Sequence, residues 1–209
     1  MLWLEEHCKV FVVIFLICLE WTSATGLGPC PKVKSMDKLN LTKFSGHWHE
    51  IERTFYLMEL IRSCVTVDIS ELSKDRLGIV VNTKSTWTGT FSISEGVASP
   101  TKRDPNIFQY KVSSSFPRIV NRYLPGAGFY QVLDTDYDTY AVVYSCSNWQ
   151  VVHSDLIWIW GRKREIDVEL RSELYRKLNN MQLDPERLVL SKTTNCTDTE
   201  DFLNDDILY

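Results

Sequence analysis

The segment Gly46-His47-Trp48-His49-Glu50-Ile51-Glu52 places a glycine two residues before a tryptophan at the head of a strand-like run. Two distant segments accompany it. Thr135-Asp136-Tyr137 lies roughly ninety residues on, and Gly161-Arg162 roughly twenty-five beyond that. Each is a common accident alone, but the order, the spacing and the strand-like sequence around all three make the set informative.

Outward from these anchors, short runs of alternating or β-branched residues recur between turn signals, which is the pattern of an antiparallel barrel or sandwich. Val65, Val67 and Ile69 alternate with Thr66 and Asp68, and the same period of two appears at Phe91 and Ile93, at Phe108, Tyr110 and Val112, and at Leu156, Trp158 and Trp160. Strands are expected near 47–54, 64–71, 77–84, 86–98, 106–115, 128–133, 139–146 and 150–161. Eight antiparallel strands can close into a barrel whose interior holds one small ligand. At Glu165 the period changes: Ile166, Leu170, Leu174 and Leu178 recur every four residues, so one amphipathic helix follows, ended by Pro185, with a short last strand over 187–190.

The chain has 209 residues, 44% hydrophobic and 24% charged, a balance that suits one globular domain and excludes fibrous or disordered classes. Lys9, an apolar run from Val10 to Leu19 and small residues at Ser23-Ala24-Thr25-Gly26 follow the order of a secretory signal, so residues 1–26 are expected to be cleaved and 27–209 to form the mature domain. The run is too short to span a bilayer, no other apolar segment is long enough, and the acidic tail from Asp201 lacks the apolar stretch of a lipid-anchor signal. Loss of Lys9, Glu5, Glu6 and Glu20 moves the net charge from −4 to −2, which gives no basis for nucleic-acid binding. The triplet Arg162-Lys163-Arg164 reads as a solvated strand end rather than a nuclear signal.

The leader also removes Cys8 and Cys18, leaving Cys30, Cys64, Cys146 and Cys196. In an oxidising compartment these read as two disulfides, for which the spacings allow three connectivities. Without a C-x-x-C pair they do not read as a metal site. Asn40-Leu41-Thr42 and Asn195-Cys196-Thr197 are glycosylation sequons, the first on an exposed arm, the second beside a cysteine expected to be bonded.

The three anchors resemble the signature segments of the lipocalins, and the resemblance runs over nearly all of the chain after the leader. It is carried further by Glu95-Gly96-Val97-Ala98-Ser99-Pro100, Tyr140-Ala141-Val142-Val143-Tyr144-Ser145-Cys146 and His153-Ser154-Asp155-Leu156-Ile157-Trp158-Ile159, which are most similar to the apolipoprotein D, insect bilin-binding and Lazarillo-like branch. The resemblance implies an all-β fold, an eight-stranded up-and-down barrel with one C-terminal flanking helix. It selects the pairings Cys30 with Cys146 and Cys64 with Cys196, which tie both arms to the barrel. Each would close a loop worth about 4 to 5 kcal/mol in the chain-entropy model. It also implies that Gly46 and Trp48 close the barrel base with Arg162 across the indole, and that Thr135, Asp136 and Tyr137 form a loop at the same end.

A secreted, non-enzymatic carrier is the function so implied, with a lipid, sterol, retinoid or bilin in the cavity and no cofactor for turnover. Lazarillo-like members imply an alternative, an extracellular interaction protein that recognises a cell-surface receptor, and peripheral contact with lipid is compatible with both. If Arg162 reaches the base, stepping back by two along its strand turns Trp160, Trp158 and Leu156 inward, and Trp158 matches a pocket tryptophan of similar proteins. The same alternation offers Phe108, Tyr110 and Val112 with Tyr140, Val142 and Tyr144 as further lining, and Tyr130 beside them. For each of these, ordinary barrel core is the competing reading. Glu50 and Glu52 share the parity of Trp48, which directs one or both acids inward, where an acid needs a partner or a shifted pKa.

Catalytic readings are weak. In His153-Ser154-Asp155 the serine of a strand points away from both neighbours, and no G-x-S-x-G elbow exists. His47 and His49 could share a metal, yet no third ligand is evident and none is expected. A thiol-dependent isomerase needs a free cysteine, and all four mature ones are expected to be bonded.

Overall fold

A computed structural model describes residues 25–56, 60, 62–113, 128–149, 151–193 and 196. Its core is the run β2 (Gly46–Thr54), β3 (Arg62–Ser73), β4 (Arg76–Ser85), β5 (Phe91–Pro100), β6 (Ile107–Val112), β7 (Gly128–Thr135), β8 (Tyr140–Trp149) and β9 (Val152–Gly161). Each strand pairs antiparallel with the next, and β9 pairs back onto β2, so the sheet closes into an eight-stranded barrel. Closure removes the exposed edges of an open sheet. Two short strands extend it: β1 (Thr25–Leu27) on β9, and β10 (Leu188–Leu190) on β2. The leader expected over 1–26 lies outside the described residues up to position 24, and its last two positions fall within β1.

The expected strand over 86–98 is shorter at its start. Residues 86–90 instead turn the β4–β5 hairpin, with Gly89 at φ +71° and its amide donating to Ser85 O at 3.0 Å. A left-handed conformation at that position is open to glycine at little cost.

The helix α2 (Val168–Asn180) follows a one-turn α1 (Leu41–Phe44) far upstream and lies on the outside of the barrel. Leu174 and Leu178 are buried against Tyr140, Val142, Tyr144, Ile157 and Ile159 of β8 and β9. Full burial of each leucine is worth about 1.5 to 3 kcal/mol. Charged contacts fix the helix in place: Arg171 pairs with Glu52 at 2.7 Å, the Tyr175 hydroxyl donates to Glu52 at 2.6 Å, and Lys177 pairs with Asp134 at 2.6 Å. Contrary to expectation, Pro185 does not end α2. The helix stops at Asn180, where Gln182 turns left-handed at φ +61° and Leu183 N donates back to Leu178 O. Pro185 starts a separate 3₁₀ turn whose fixed φ suits that first position.

Both arms are bound covalently. Cys30 is bonded to Cys146 of β8 and Cys64 of β3 to Cys196. After β10 the C-terminal arm runs between β2 and β3, where Ser191 N donates to Ile51 O and Cys64 N to Lys192 O. The two strands themselves pair only from Gly46 to His49.

Candidate functional site

One end of the barrel is sealed. Trp48 is fully buried, its Nε1 donating to Phe44 O at 2.9 Å. The Arg162 guanidinium lies over the indole and donates to the carbonyls of Lys43, Ser45, His47 and Tyr137. Gly46 is at φ +107°, and a Cβ there would meet Arg162 Nη1 at 3.0 Å, so both backbone and space ask for glycine. Asp136 organises the facing turn, its Oδ1 accepting from the amides of Asp138, Thr139 and Tyr140 and its Oδ2 from the Thr139 hydroxyl. Burial works against its charge, but these donors outweigh it and hold the carboxyl below its ordinary range. Tyr137, at φ +72°, is held by the Thr135 hydroxyl.

Above this floor lies a cavity of about 570 Å³. Its wall is largely apolar: Val65, Val67 and Ile69 from β3, Leu77, Ile79 and Val81 from β4, Ala98 from β5, and Phe108, Tyr110 and Val112 from β6. β7 adds Tyr130 and Val132, β8 adds Val143, and β9 adds Trp158 and Trp160. Tyr130 stacks on Trp158 with centroids 5.6 Å apart, and Tyr110 meets Tyr130 edge-on at 5.8 Å. Burial pushes both phenols above their ordinary value of 10.0, partly offset by Ser94 beside Tyr110 and Ser145 beside Tyr130, so both are neutral donors at physiological pH.

Of the side chains expected to line the interior, Trp158, Phe108, Tyr110, Val112, Tyr130 and Glu50 do so. Tyr140, Val142 and Tyr144 do not. They face outward and pack under α2, while their neighbours Ala141 and Val143 face the lumen. Both faces of β8 are buried, and alternation of apolar residues cannot show which of two buried faces is the inner one. Leu156 shares the face of Trp158 but is buried outside the cavity lining. Strand parity fixes a face, not whether neighbouring side chains leave it open.

The two acids of β2 part company. A bulge between Glu50 and Glu52 shifts the register against β9 and turns Ile51 and Glu52 outward. It also brings Arg53 opposite Trp158, where it is 3% exposed and bonded to Glu50 at 2.7 Å. Ser191 of the C-terminal arm completes the group, donating to Glu50 at 2.6 Å and accepting from Arg53 at 2.9 Å. Sequence reasoning missed Arg53 and Ser191, because neither a bulge nor an inserted arm leaves a periodic trace. The lining of β4 was open to it in the alternation of Leu77, Ile79 and Val81.

The triad reading of His153-Ser154-Asp155 finds its flanking residues engaged elsewhere. His153 contacts Gly28 O, and Asp155 is paired with Arg187 at 2.7 Å and bonded to the Tyr144 hydroxyl. His47 is bonded to Asp68, which also accepts from Asn82, and among the described residues no group of three metal-ligating side chains forms. Asn40 is exposed and caps α1 through Lys43 N, while Asn195 lies outside the described residues.

Residues 45–194 match the model of the lipocalin / cytosolic fatty-acid binding protein family, and the chain belongs to that family. It is 32% identical over 179 residues to apolipoprotein D of Cavia porcellus, covering 82% of this chain and 86% of the relative. It is 26% identical over 182 residues to the Lazarillo protein of Schistocerca americana, covering 84% and 79%. The crystal structure of lobster apocrustacyanin A1 superposes with a TM-score of 0.70 at 20% identity, over 85% of this chain and 96% of that one, which establishes the shared fold.

Proposed function

We propose that this chain is a secreted carrier that encloses one small hydrophobic molecule of the lipid, sterol, retinoid or bilin class and transports or sequesters it in extracellular fluid. The observation that carries the reading is the aromatic-walled cavity of about 570 Å³ inside a barrel sealed at one end. Its mechanism is burial: each Å² of apolar ligand surface removed from water contributes roughly 25 cal/mol, and a few polar groups set orientation. Trp158, Tyr130, Tyr110, Phe108 and Val112 are the proposed contacts, with Glu50 at the polar end. No reaction and no cofactor for turnover are part of the proposal. Secretion is supported by the leader-like N-terminus and by two disulfides, which persist in oxidising compartments. An organic extract of the protein purified from culture medium, analysed by mass spectrometry, should contain a hydrophobic passenger near one per chain. An empty extract, with apolar probes failing to bind the purified protein, would sink the reading.

A second reading, an extracellular interaction protein recognising a cell-surface receptor or lipid surface, is favoured by exposed apolar side chains at the end opposite the floor. Trp87 on the β4–β5 hairpin is 81% exposed and Val151 between β8 and β9 is 77% exposed.

A further inference from the structure

Charge in the cavity wall is confined to Glu50 and Arg62. Glu50, next to the floor and opposite Trp160, is paired with Arg53 at 2.7 Å. Arg62 stands at the far end. It is the first residue of β3 and lies opposite Ser85, where β4 enters its hairpin with β5, at the end of the barrel away from Trp48.

Strict alternation would turn this arginine outward, because Val65, Val67 and Ile69 line the cavity and Arg62 has the opposite parity. A bulge brings it in. Cys64 is left-handed at φ +53°, and the register of β3 against β4 shifts between Ser63 and Thr66. Cys64 is held there by its disulfide to Cys196 and by its amide, which donates to Lys192 O at 2.8 Å. The tied C-terminal arm thus sets the face on which Arg62 emerges. The side chain is half-buried and forms no ion pair among the described residues. Hydroxyls stand on the neighbouring strands of the same wall: Thr83 of β4 lies opposite Ser92 of β5, and both line the cavity. Toward the floor the wall is apolar, with Leu77, Ala98, Phe108, Val132 and Trp160.

Resting on the carrier reading, we infer that the ligand is an amphipathic acid, oriented with its carboxylate on Arg62 at the far end and its apolar body toward the floor. The planar guanidinium matches a carboxylate as a two-pronged donor. A half-buried cation gains more from an anionic partner than one in bulk water does. Thr83 and Ser92 can donate to the same head group. The reverse orientation would set the charge against the apolar wall, where desolvation opposes it. Glu50 remains the polar contact next to the floor, its charge compensated by Arg53.

All-trans-retinoic acid and all-trans-retinol share one apolar body and differ in the head group. Quenching of tryptophan fluorescence in the full mature chain, at about pH 8 where a carboxylate is ionised, gives the affinity for each. Native protein should bind the acid at least about fivefold more tightly than the alcohol, the scale of a charge-assisted bond at a half-buried cation. Arg62→Gln keeps hydrogen-bonding ability but removes the charge, so acid binding should weaken about fivefold or more and the ratio should approach one. Retinol binding close to native in the same variant shows that the cup is intact. Lys192→Gln is the control for general charge, because its Nζ donates to Leu60 O and does not line the cavity; it should leave the ratio as in native protein. A native ratio at or below one, a ratio unchanged in Arg62→Gln, or an equal shift in Lys192→Gln overturns the inference and leaves the carrier reading standing. If neither retinoid binds the native protein the inference also falls, and the carrier reading is then decided by its own passenger analysis.

Discussion

The guanidinium carbon of Arg162 sits 3.7 Å from the ring centroid of Trp48, joining the end of β9 to the start of β2 where the barrel closes. Four backbone carbonyls from α1, its C-cap Ser45, β2 and the β7–β8 turn accept from the same side chain, so it seals the floor as well as stacking on it. Arg162→Ala should therefore lower stability by about 2 to 4 kcal/mol, from lost charge-assisted hydrogen bonds and the cation–π contact. Because neither Trp48 nor Arg162 lines the cavity, affinity of the folded fraction for an apolar probe should hardly change. Paired melting and titration curves check this, and a collapse of affinity at unchanged melting temperature would contradict the assigned role.

Trp158 stands in the cavity wall, stacked on Tyr130. A bound apolar molecule would exchange water for dispersion contacts with the indole, so Trp158→Ala should weaken binding by about 1 to 3 kcal/mol and remove part of the fluorescence change. Trp87→Ala, on the exposed hairpin tip, is the control and should leave affinity close to native. Equal losses in the two variants would show that the ligand sits elsewhere.

The disulfides span sequence separations of 116 and 132 residues. Non-reduced peptide mapping of the secreted protein should recover Cys30 linked to Cys146 and Cys64 linked to Cys196, with no free thiol. Cys64→Ser/Cys196→Ser should cost about 2 to 5 kcal/mol and loosen the arm that carries Ser191. Recovery of a peptide joining Cys30 to Cys64 would refute the pairing.

Several buried phenols hold their protons more tightly than in the unfolded chain. Burial, with Asp155 beside it, raises Tyr144. Burial raises Tyr130, and Tyr175 on α2 is pushed up to about 12 by burial and by its bond to Glu52. A raised folded value means that this contribution to stability is complete below the ordinary value of 10.0 and is lost as pH climbs from there through the folded values. The melting temperature should therefore fall steeply above about pH 10, and the share of the tyrosinate absorbance that belongs to these phenols should develop only as the chain unfolds. Tyr175→Phe should flatten part of that fall. A melting temperature independent of pH between 9 and 12 would be inconsistent with these burials.

Much of the architecture is written locally. The spacing of Gly46, Trp48, Thr135, Asp136, Tyr137 and Arg162, eight period-two segments, one four-residue period after Glu165 and four cysteines after the leader-like segment are properties of the chain that need no coordinates. Strand and helix periodicities are imposed by backbone geometry alone, so the periods give strands, one helix and a choice of barrel or sandwich, and it is the lipocalin resemblance of the spaced motifs that implies the closed barrel. Three features of the site were settled only in three dimensions. Tyr140, Val142 and Tyr144 lie under α2 because β8 has two buried faces, and only the packing of Leu174 and Leu178 assigns one of them to the outside. Arg53 enters the barrel while Glu52 leaves it because a single bulge at Ile51 reverses parity, at a cost the helix contacts of Glu52 help to offset. Ser191 reaches Glu50 from 141 residues away because the disulfide-bound arm fills the gap where β3 parts from β2. Each depends on a long-range contact that no local period encodes.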